Sequence, residues 1–341
     1  MAFPSWFEWP NTECYSYQPT FKKSNRALLS SITDEIRAKP DGGFFITYMG
    51  SAVGTSPGRL VETNSNFDII HEWPEDVDGT LNILGQQFSP HGLSIDWNKG
   101  LILTSDFVVP ITILKPTLGI QRANTLRLWD LNSRKITSTI TIPNGGGIQD
   151  VKFIPGNPES AALATAVQAG QVWIVYPYRR DANGNLGRAE LLYDLGPKAH
   201  GDIAIYSDIS QDGKHAYFTL TLGNHVAALD ISDLSNVKRL DNPDEDQGII
   251  GPHYIKIAPD GKHLLVTDYF VQGGDISVVN TPADYKGQWI DILSDGSLHF
   301  NRSIDFEKVF STTGAGGNRG GARPHSAVIF DLTDPAHPKY Y

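Results

Sequence analysis

Apolar and polar residues alternate along this chain in short runs, and Gly, Asp and Asn interrupt the runs at regular intervals. HGLSIDW (91–97) and HYIKIAP (253–259) follow a period of two, as a half-buried strand does. NKG (98–100) or DGK (260–262) supplies a turn after each. The runs LILTSDF (101–107) and HLLVTDY (263–269) come next, rich in residues suited to strands buried on both faces. Residues 89–107 and 251–269 superimpose without a gap. His91 falls on His253, Ile95 on Ile257, Leu103 on Leu265 and Asp106 on Asp268.

The same strand–turn–strand recurs. YSDISQDGKHAYFTL (206–220) repeats the turn and puts Ile205 where the histidines stand. QDVKFIPGNPESAALAT (149–165) puts Gln149 there, with a longer turn, and GGFFITYMG (42–50) reads as the second strand of an earlier copy. A different unit lies between these: an apolar strand ending in Asp, a polar turn and a further strand. It is written as LRLWDLNSRKITSTI (126–140), VAALDISDLSNVKRL (226–240) and AVIFDLTDPAHPKYY (327–341), with a longer version at 172–195. Strand pairs thus alternate, four strands to a unit of roughly 45–55 residues, which is the period of β-propeller blades. Five nearly complete copies begin near residues 24, 91, 149, 203 and 253. A sixth is predicted from residues 325–341 closing against the N-terminal segment. The prediction is an all-β, six-bladed β-propeller in one domain over 1–341, with seven blades as the alternative. Helical signal is weak: in SNRALLSSITDEIRAK (24–39) the apolar residues bunch instead of recurring at i, i+4.

In a propeller the innermost strand of each blade lines a central channel, so equivalent positions from different blades converge. Here those positions carry His91, Gln149, Ile205 with Tyr206 beside it, His253 and His325. Three roles stay open for the histidines. They suit polar pocket residues doing acid–base chemistry near neutral pH. They suit ligands of a single metal ion, such as Zn, Cu, Fe or Ni. They also suit structural caps, since each follows a proline. Asp106 and Asp268 end the second strand of their copies, where turn bonds to backbone are expected.

Composition narrows the partners. Asp and Glu number 38 against 28 Lys and Arg, for a net charge of −10, which argues against nucleic acid and anionic membranes. No apolar run is long enough to span a bilayer, and MAFPSWFEWPNTE lacks the basic start and apolar core of a signal peptide. One cysteine, Cys14, leaves no internal disulfide. A cytoplasmic protein without a membrane span is expected. The 33 Gly and 21 Pro suit many short strands joined by turns.

Further candidates carry competing readings. Arg323 in GGARPH is placed either on an oxygen-bearing ligand or in a surface salt bridge. GAGGNRGGAR (314–323) lacks the Lys-Ser/Thr of a phosphate loop and reads as a loop over the channel mouth. DANGNLG (181–187) offers Asp181, Asn183 and Asn185 in calcium-loop style but no terminal Glu, so a hairpin turn is expected. His200 stands just before a blade, within reach of the rim. Trp6, Phe7 and Trp9 are expected to pack in the closing blade or to reach the pocket, and Phe107 and Tyr269 to wall it.

The run GGFFITYMGSAVGTSPGRLVE, then GLILTSDFVVPITILKPTLGIQRANTLRLWDLNSRKITSTITI, resembles the selenium-binding protein / methanethiol oxidase family. That family's ISTEW-like strand, APN loop and LYVWDW strand have LILTSDF, VVPITIL and LRLWDL as counterparts here. The likeness runs from about residue 40 to the C-terminus, more weakly after 150. The family's N-terminal His-His and Cys-Ser-Ser-Cys segment, tied to metal and thiol chemistry, has no counterpart, so no metal ligand is carried over. Reduced size and an aromatic start also look like a fungal group related to that family, the propeller hetero-Diels–Alderases of tropolone–sesquiterpenoid biosynthesis. That resemblance implies the joining of a polyketide-derived quinone methide to a terpene alkene such as a humulene, without a cofactor.

Such a reaction needs an apolar chamber that holds two partners in a near-attack pose, and a donor to the carbonyl oxygen. A general acid helps to expel water when the quinone methide forms from an alcohol. On this reading His91, His253, His325 and Arg323 are catalytic. Gln149, Tyr206, Phe107, Tyr269, Trp6 and His200 then hold the substrates, which are apolar small molecules. The alternatives are a metal-dependent oxidase or lactonase-like enzyme, with His91, His253 and His325 on the metal, and a protein-binding propeller without catalysis.

Overall fold

The structure is a computed structural model that describes residues 30–51, 57–74, 88–109, 112, 119–268, 283–310, 323–331, 334 and 339–340. Period-two segments become strands, and each set of four pairs antiparallel in chain order. Blade 1 holds β1 (Ser30–Ala38), β2 (Phe44–Ser51), β3 (Arg59–Thr63) and β4 (Ile69–Trp73). Blade 2 holds β5 (Pro90–Asp96), β6 (Leu101–Asp106), β7 (Thr125–Asp130) and β8 (Lys135–Thr141). Blade 3 holds β9 (Ile148–Phe153), β10 (Ala162–Ala166), β11 (Gln171–Arg180) and β12 (Leu186–Asp194). Blade 4 holds β13 (Ser207–Ile209), β14 (His215–Leu220), β15 (His225–Asp230) and β16 (Lys238–Arg239). Blade 5 holds β17 (Ile255–Ile257), β18 (His263–Thr267), β19 (Lys286–Ile292) and β20 (Leu298–Asp305). A short helix, α1 (Phe306–Phe310), follows, and β21 (Phe330–Asp331) pairs with β22 (Lys339–Tyr340).

The chain is a β-propeller. Five complete four-stranded sheets and one strand pair are described. The expected closure by the N-terminal segment falls on residues outside those described. Residues 30–38 form a strand, with a register shift between Thr33 and Ile36. DANGNLG is the β11–β12 hairpin turn, where Asp181 Oδ1 accepts from Asn183 N and Asn185 N, both at 2.8 Å. Among the described residues no helix is long and apolar enough to cross a membrane.

The core is a series of layers between blades. Phe45, Leu60, Leu93 and Trp129 bury between blades 1 and 2, and Leu103, Ile148 and Leu126 between blades 2 and 3. Leu163, Ile174 and Phe218 pack between blades 3 and 4, and Tyr217, Ile255 and Leu264 between blades 4 and 5. Burial of these side chains is the main term holding one sheet to the next.

A row of hydroxyls sets the register between neighbours. Thr47 Oγ1 donates to the His91 carbonyl (2.6 Å), Ser105 Oγ to that of Gln149 (3.1 Å) and Thr165 Oγ1 to that of Ile205 (2.8 Å). Thr219 Oγ1 donates to the His253 carbonyl and Thr267 Oγ1 to that of His325 (3.1 Å). The same hydroxyls accept from the inner strand of their own blade: Thr47 from Glu35 N, Ser105 from Gly92 N, Thr165 from Asp150 N and Thr219 from Tyr206 N. In blades 1 to 4 the second-strand hydroxyl therefore pins its own inner strand and the first inner position of the next blade, and in blade 5 Thr267 reaches the next position. Almost all of these groups are buried, where an unpaired donor or acceptor is costly.

Candidate functional site

The hydroxyl row defines six equivalent positions: Asp34, His91, Gln149, Ile205, His253 and His325. The last five are those that the repeat aligns, and Asp34 precedes the Glu35 amide held by Thr47 as His91 precedes that of Gly92. Blade 1 hides this position in sequence. From Asp34 to Thr47 is 13 residues, against 14 from His91 to Ser105, and the position carries an aspartate in place of a histidine; the register shift beside it is common to both blades. The KPDGG turn after it was the available signal.

These side chains meet. His91 Nε2 lies 3.1 Å from Asp34 Oδ2. The Tyr206 hydroxyl donates to Asp34 Oδ1 at 3.4 Å. The Tyr206 ring stands edge-on to His253, with centroids 4.7 Å apart and planes at 87°, and lies 5.8 Å from His91. His253 in turn touches His325 at 4.7 Å. Phe107 meets His91 edge-on at 4.9 Å. Gln149 is fully buried and its Oε1 accepts from Ile205 N at 3.3 Å. His91 and His253 are buried; Asp34 is 17% exposed at its side chain, and His325 is exposed. The cluster thus opens to solvent through Asp34 and His325.

Burial governs its charge. It lowers His91 from 6.5 to about 4, opposed by the Asp150 carboxylate and the Gln149 backbone. It lowers His253 well below 6.5, helped by the neighbouring His325 and His91. His325 is lowered in the same direction, by loss of water on the side of its ring that packs against His253, although the residue as a whole is exposed. Asp34 is raised well above 3.8, first by burial and then by Glu35. The Tyr206 phenol is pushed well above 10 by burial and by Asp34, Glu35 and Asp150. Burial thus disfavours the charged form of both groups where they meet, His91 Nε2 against Asp34 Oδ2.

Two further tiers flank this one. Met49, Phe107 and Val167, each two residues beyond the hydroxyl of its blade, form an apolar collar with Val108. On the other side, inner-strand charges pair off: Arg37 with Glu35 (2.6 Å), Lys152 with Asp150 (2.6 Å) and Lys256 with Asp208 (3.2 Å). Asp150 also accepts from Ser207 N and Oγ, and Asp208 from Ile257 N, so these carboxylates join blades as well. Beside His325, an apolar cavity of about 930 Å³ lies against blade 5, lined by Leu265, Trp289, Ile304, Phe306, Pro324 and Ala327.

The structure brings together His91, His253, His325, Gln149, Tyr206 and Phe107. It does not bring in two other candidates. Arg323 forms the surface pair, Nη1 to Glu307 Oε2 at 2.8 Å, and its guanidinium stacks on Tyr285. His200 sits in the turn after β12, half-exposed, with Nε2 2.9 Å from Asp194 Oδ1, because that carboxylate lies closer to it than the axis does. Trp6 and Tyr269 lie outside the described residues. As for a metal held by three imidazoles, no group of three or more His, Cys, Asp or Glu among the described residues is arranged to hold one. His91 is turned onto Asp34, and the Tyr206 ring packs against both His91 and His253.

No family model matches the chain, and no curated protein matches it. Solved structures do. A hypothetical selenium-binding protein from Sulfolobus tokodaii is 18% identical, with a TM-score of 0.65 over 83% of this chain and 68% of that one. A putative 6-phosphogluconolactonase from Bacteroides uniformis is 15% identical, at 0.54 over 90% and 78%. The periplasmic gluconolactonase of Pseudomonas aeruginosa is 13% identical, at 0.53 over 82% and 71%. At such identities the likeness establishes the propeller fold.

Proposed function

We propose that this chain is a cofactor-independent small-molecule enzyme that works at the axial cluster on apolar substrates. The observation that carries the reading is the acid–imidazole–phenol group Asp34–His91–Tyr206, whose burial beside the collar of Met49, Phe107 and Val167 disfavours charge on all three. Such a group supplies hydrogen-bond donors to a substrate oxygen without presenting a net charge to an apolar molecule. The enzymatic propellers among the structural neighbours are consistent with an enzyme. The sequence resemblance supplies the reaction: cycloaddition of a tropolone quinone methide to a terpene alkene such as a humulene. Donation to the carbonyl oxygen lowers the barrier, and the apolar walls hold the partners together.

The test replaces His91, His253 and His325 by Ala one at a time and follows cycloadduct by mass spectrometry and chiral chromatography. At least one variant is expected to slow about tenfold or more. Full rate and unchanged stereochemistry in all three overturn the reading. Metal analysis of the purified protein separates it from the metal-dependent alternative, which requires near-stoichiometric metal.

A further inference from the structure

Beyond the apolar collar, the loops of blades 2, 3 and 4 hold a second polar group. Val108 of the collar bridges to Arg122, which brings that guanidinium to the mouth of the channel. The Arg122 side chain makes one hydrogen bond among the described residues, from Nη1 to the Gly146 carbonyl at 3.3 Å, so Nε and Nη2 are uncommitted. Gly146 packs against Gln168, where a Cβ would stand 2.6 Å from that of the glutamine. The Gln168 carbonyl accepts from Gly201 N at 2.9 Å, beside Asp202. Arg122, Gln168 and Asp202 thus form a row across three blades.

Asp202 stands three residues before Ile205, as Gly146 stands before Gln149. It is 1% exposed. Its Oδ1 accepts from Ile203 N (2.7 Å), Ala204 N (3.2 Å) and Leu222 N (3.2 Å). Its Oδ2 is buried as well and has no hydrogen-bond partner. A buried carboxylate oxygen is costly unless a donor meets it. Burial raises Asp202 from 3.8 to about 6 against the pull of the backbone N–H groups, which leaves it ionised at neutral pH. Its charge is the one that offsets the burial of Arg122, yet no ion pair joins the two among the described residues.

We propose that this rim is a recognition site for a small amphipathic acid: Arg122 takes its oxyanion, Asp202 Oδ2 accepts from a hydroxyl of the same molecule, and the apolar body enters the collar. The class is a hydroxylated aromatic or enolic acid. The uncommitted edge of Arg122, Nε with Nη2, presents two parallel N–H donors, the fork that a planar oxyanion fits. In a chain of net charge −10, a guanidinium without an ion pair is where an anion is drawn in. Ile120 and Leu222, both exposed, stand near the two ends of the row and extend the apolar lining outward. The inference goes beyond the reading above, since the rim binds whatever reaction the axial cluster performs.

Calorimetric titration of the full chain at neutral pH tests it with three probes: 3-hydroxybenzoate, 3-methoxybenzoate and 3-hydroxybenzamide. Wild type is expected to bind the hydroxy acid about tenfold or more tighter than either of the others. In Arg122→Gln the hydroxy acid is expected to fall to the level of the amide; unchanged affinity overturns the proposal. In Asp202→Asn the three backbone N–H groups hold the amide oxygen in the place of Oδ1, so its NH2 takes the place of Oδ2. That group donates to an ether as readily as to a hydroxyl. The preference for hydroxyl over methoxy is therefore expected to vanish while the preference for acid over amide stays. A hydroxyl preference that survives Asp202→Asn overturns the role of Oδ2. Should that variant fail to fold, the wild-type contrast decides: equal affinity for the hydroxy and methoxy acids overturns the same role. No binding of any probe to wild type at millimolar concentration overturns the whole site. None of these readouts involves cycloaddition, so failure here and failure of the proposed reaction are separate results.

Discussion

Blades 2 and 5 are written with the same residues and do different chemistry. His91 and His253 occupy the same position, each with its carbonyl held by the hydroxyl of the preceding blade. His91 faces a carboxyl, whereas His253 faces Tyr206 and another imidazole. Asp106 and Asp268 match as well. Asp106 accepts from Ser89 N (2.9 Å), Thr125 Oγ1 (2.6 Å) and Arg127 Nε (2.9 Å). At Asp268 the residue in the place of Arg127 is Gln288, which donates to Oδ2, and Asp284 replaces a donor with a second carboxyl. Burial and Asp284 push Asp268 far up, while Arg127 and Thr125 pull back against the burial of Asp106. Repetition places a side chain; its cross-strand and cross-blade neighbours decide its charge.

The sharpest test makes one substitution at both positions. Asp106→Asn removes the acceptor of Arg127 and is expected to cost about 1–3 kcal/mol in urea unfolding at neutral pH. Asp268→Asn has the opposite sign. Its amide donates to Asp284 and still accepts from Gln288, so a gain of about 1 kcal/mol is expected. That gain grows with pH, because the folded state holds a proton on Asp268 that the unfolded chain releases near 3.8, and wild-type stability falls as pH rises through the raised folded value. Equal losses at both positions would break the contrast.

Next in size are the hydroxyls. Ser105→Ala orphans Gly92 N and the Gln149 carbonyl, both buried, at an expected cost of about 1–2 kcal/mol. Thr267→Val affects the carbonyl of exposed His325 and is expected to cost less than half as much. Chemical denaturation of the two variants side by side checks the ratio.

The smallest expected difference is a slope with pH. His91 is lowered to about 4, and Asp34 is raised over part of the same range, so the two contributions to stability oppose each other. Burial, His325 and His91 act on His253, and all of them lower it. It stays neutral in the fold well below 6.5 while the unfolded chain takes up a proton near 6.5. Its contribution is complete above 6.5 and is lost as pH falls below that value. His253→Gln is expected to flatten the acid side of the stability profile measured by thermal melts from pH 7 to 5.

Much of this was legible in the chain. The repeat located the blades, ranked the inner strands and picked out His91, Gln149, Ile205, His253 and His325 as one set, since strand periodicity and turn spacing are local properties. Phe107 and Tyr206 lay beside those positions and came with them. Asp34 escaped because blade 1 carries no histidine there and its hairpin is one residue short of the 14 that separate His91 from Ser105, which throws a gapless overlay out of register; the irregularity itself is shared by β1 and β5. Arg323 and His200 went astray for another reason. Each lies close in sequence to a conspicuous feature, but a long or exposed side chain takes the nearest opposite charge, here Glu307 and Asp194.

The order of apolar and polar residues by itself determined that this protein is a ring of antiparallel sheets, and where each sheet begins. Only the tertiary structure decided which side chains are pushed away from their ordinary ionisation. A carboxyl and an imidazole 57 positions apart are both pushed toward their neutral forms because the fold buries them together, and the cost of burying charge depends on neighbours that no local pattern records.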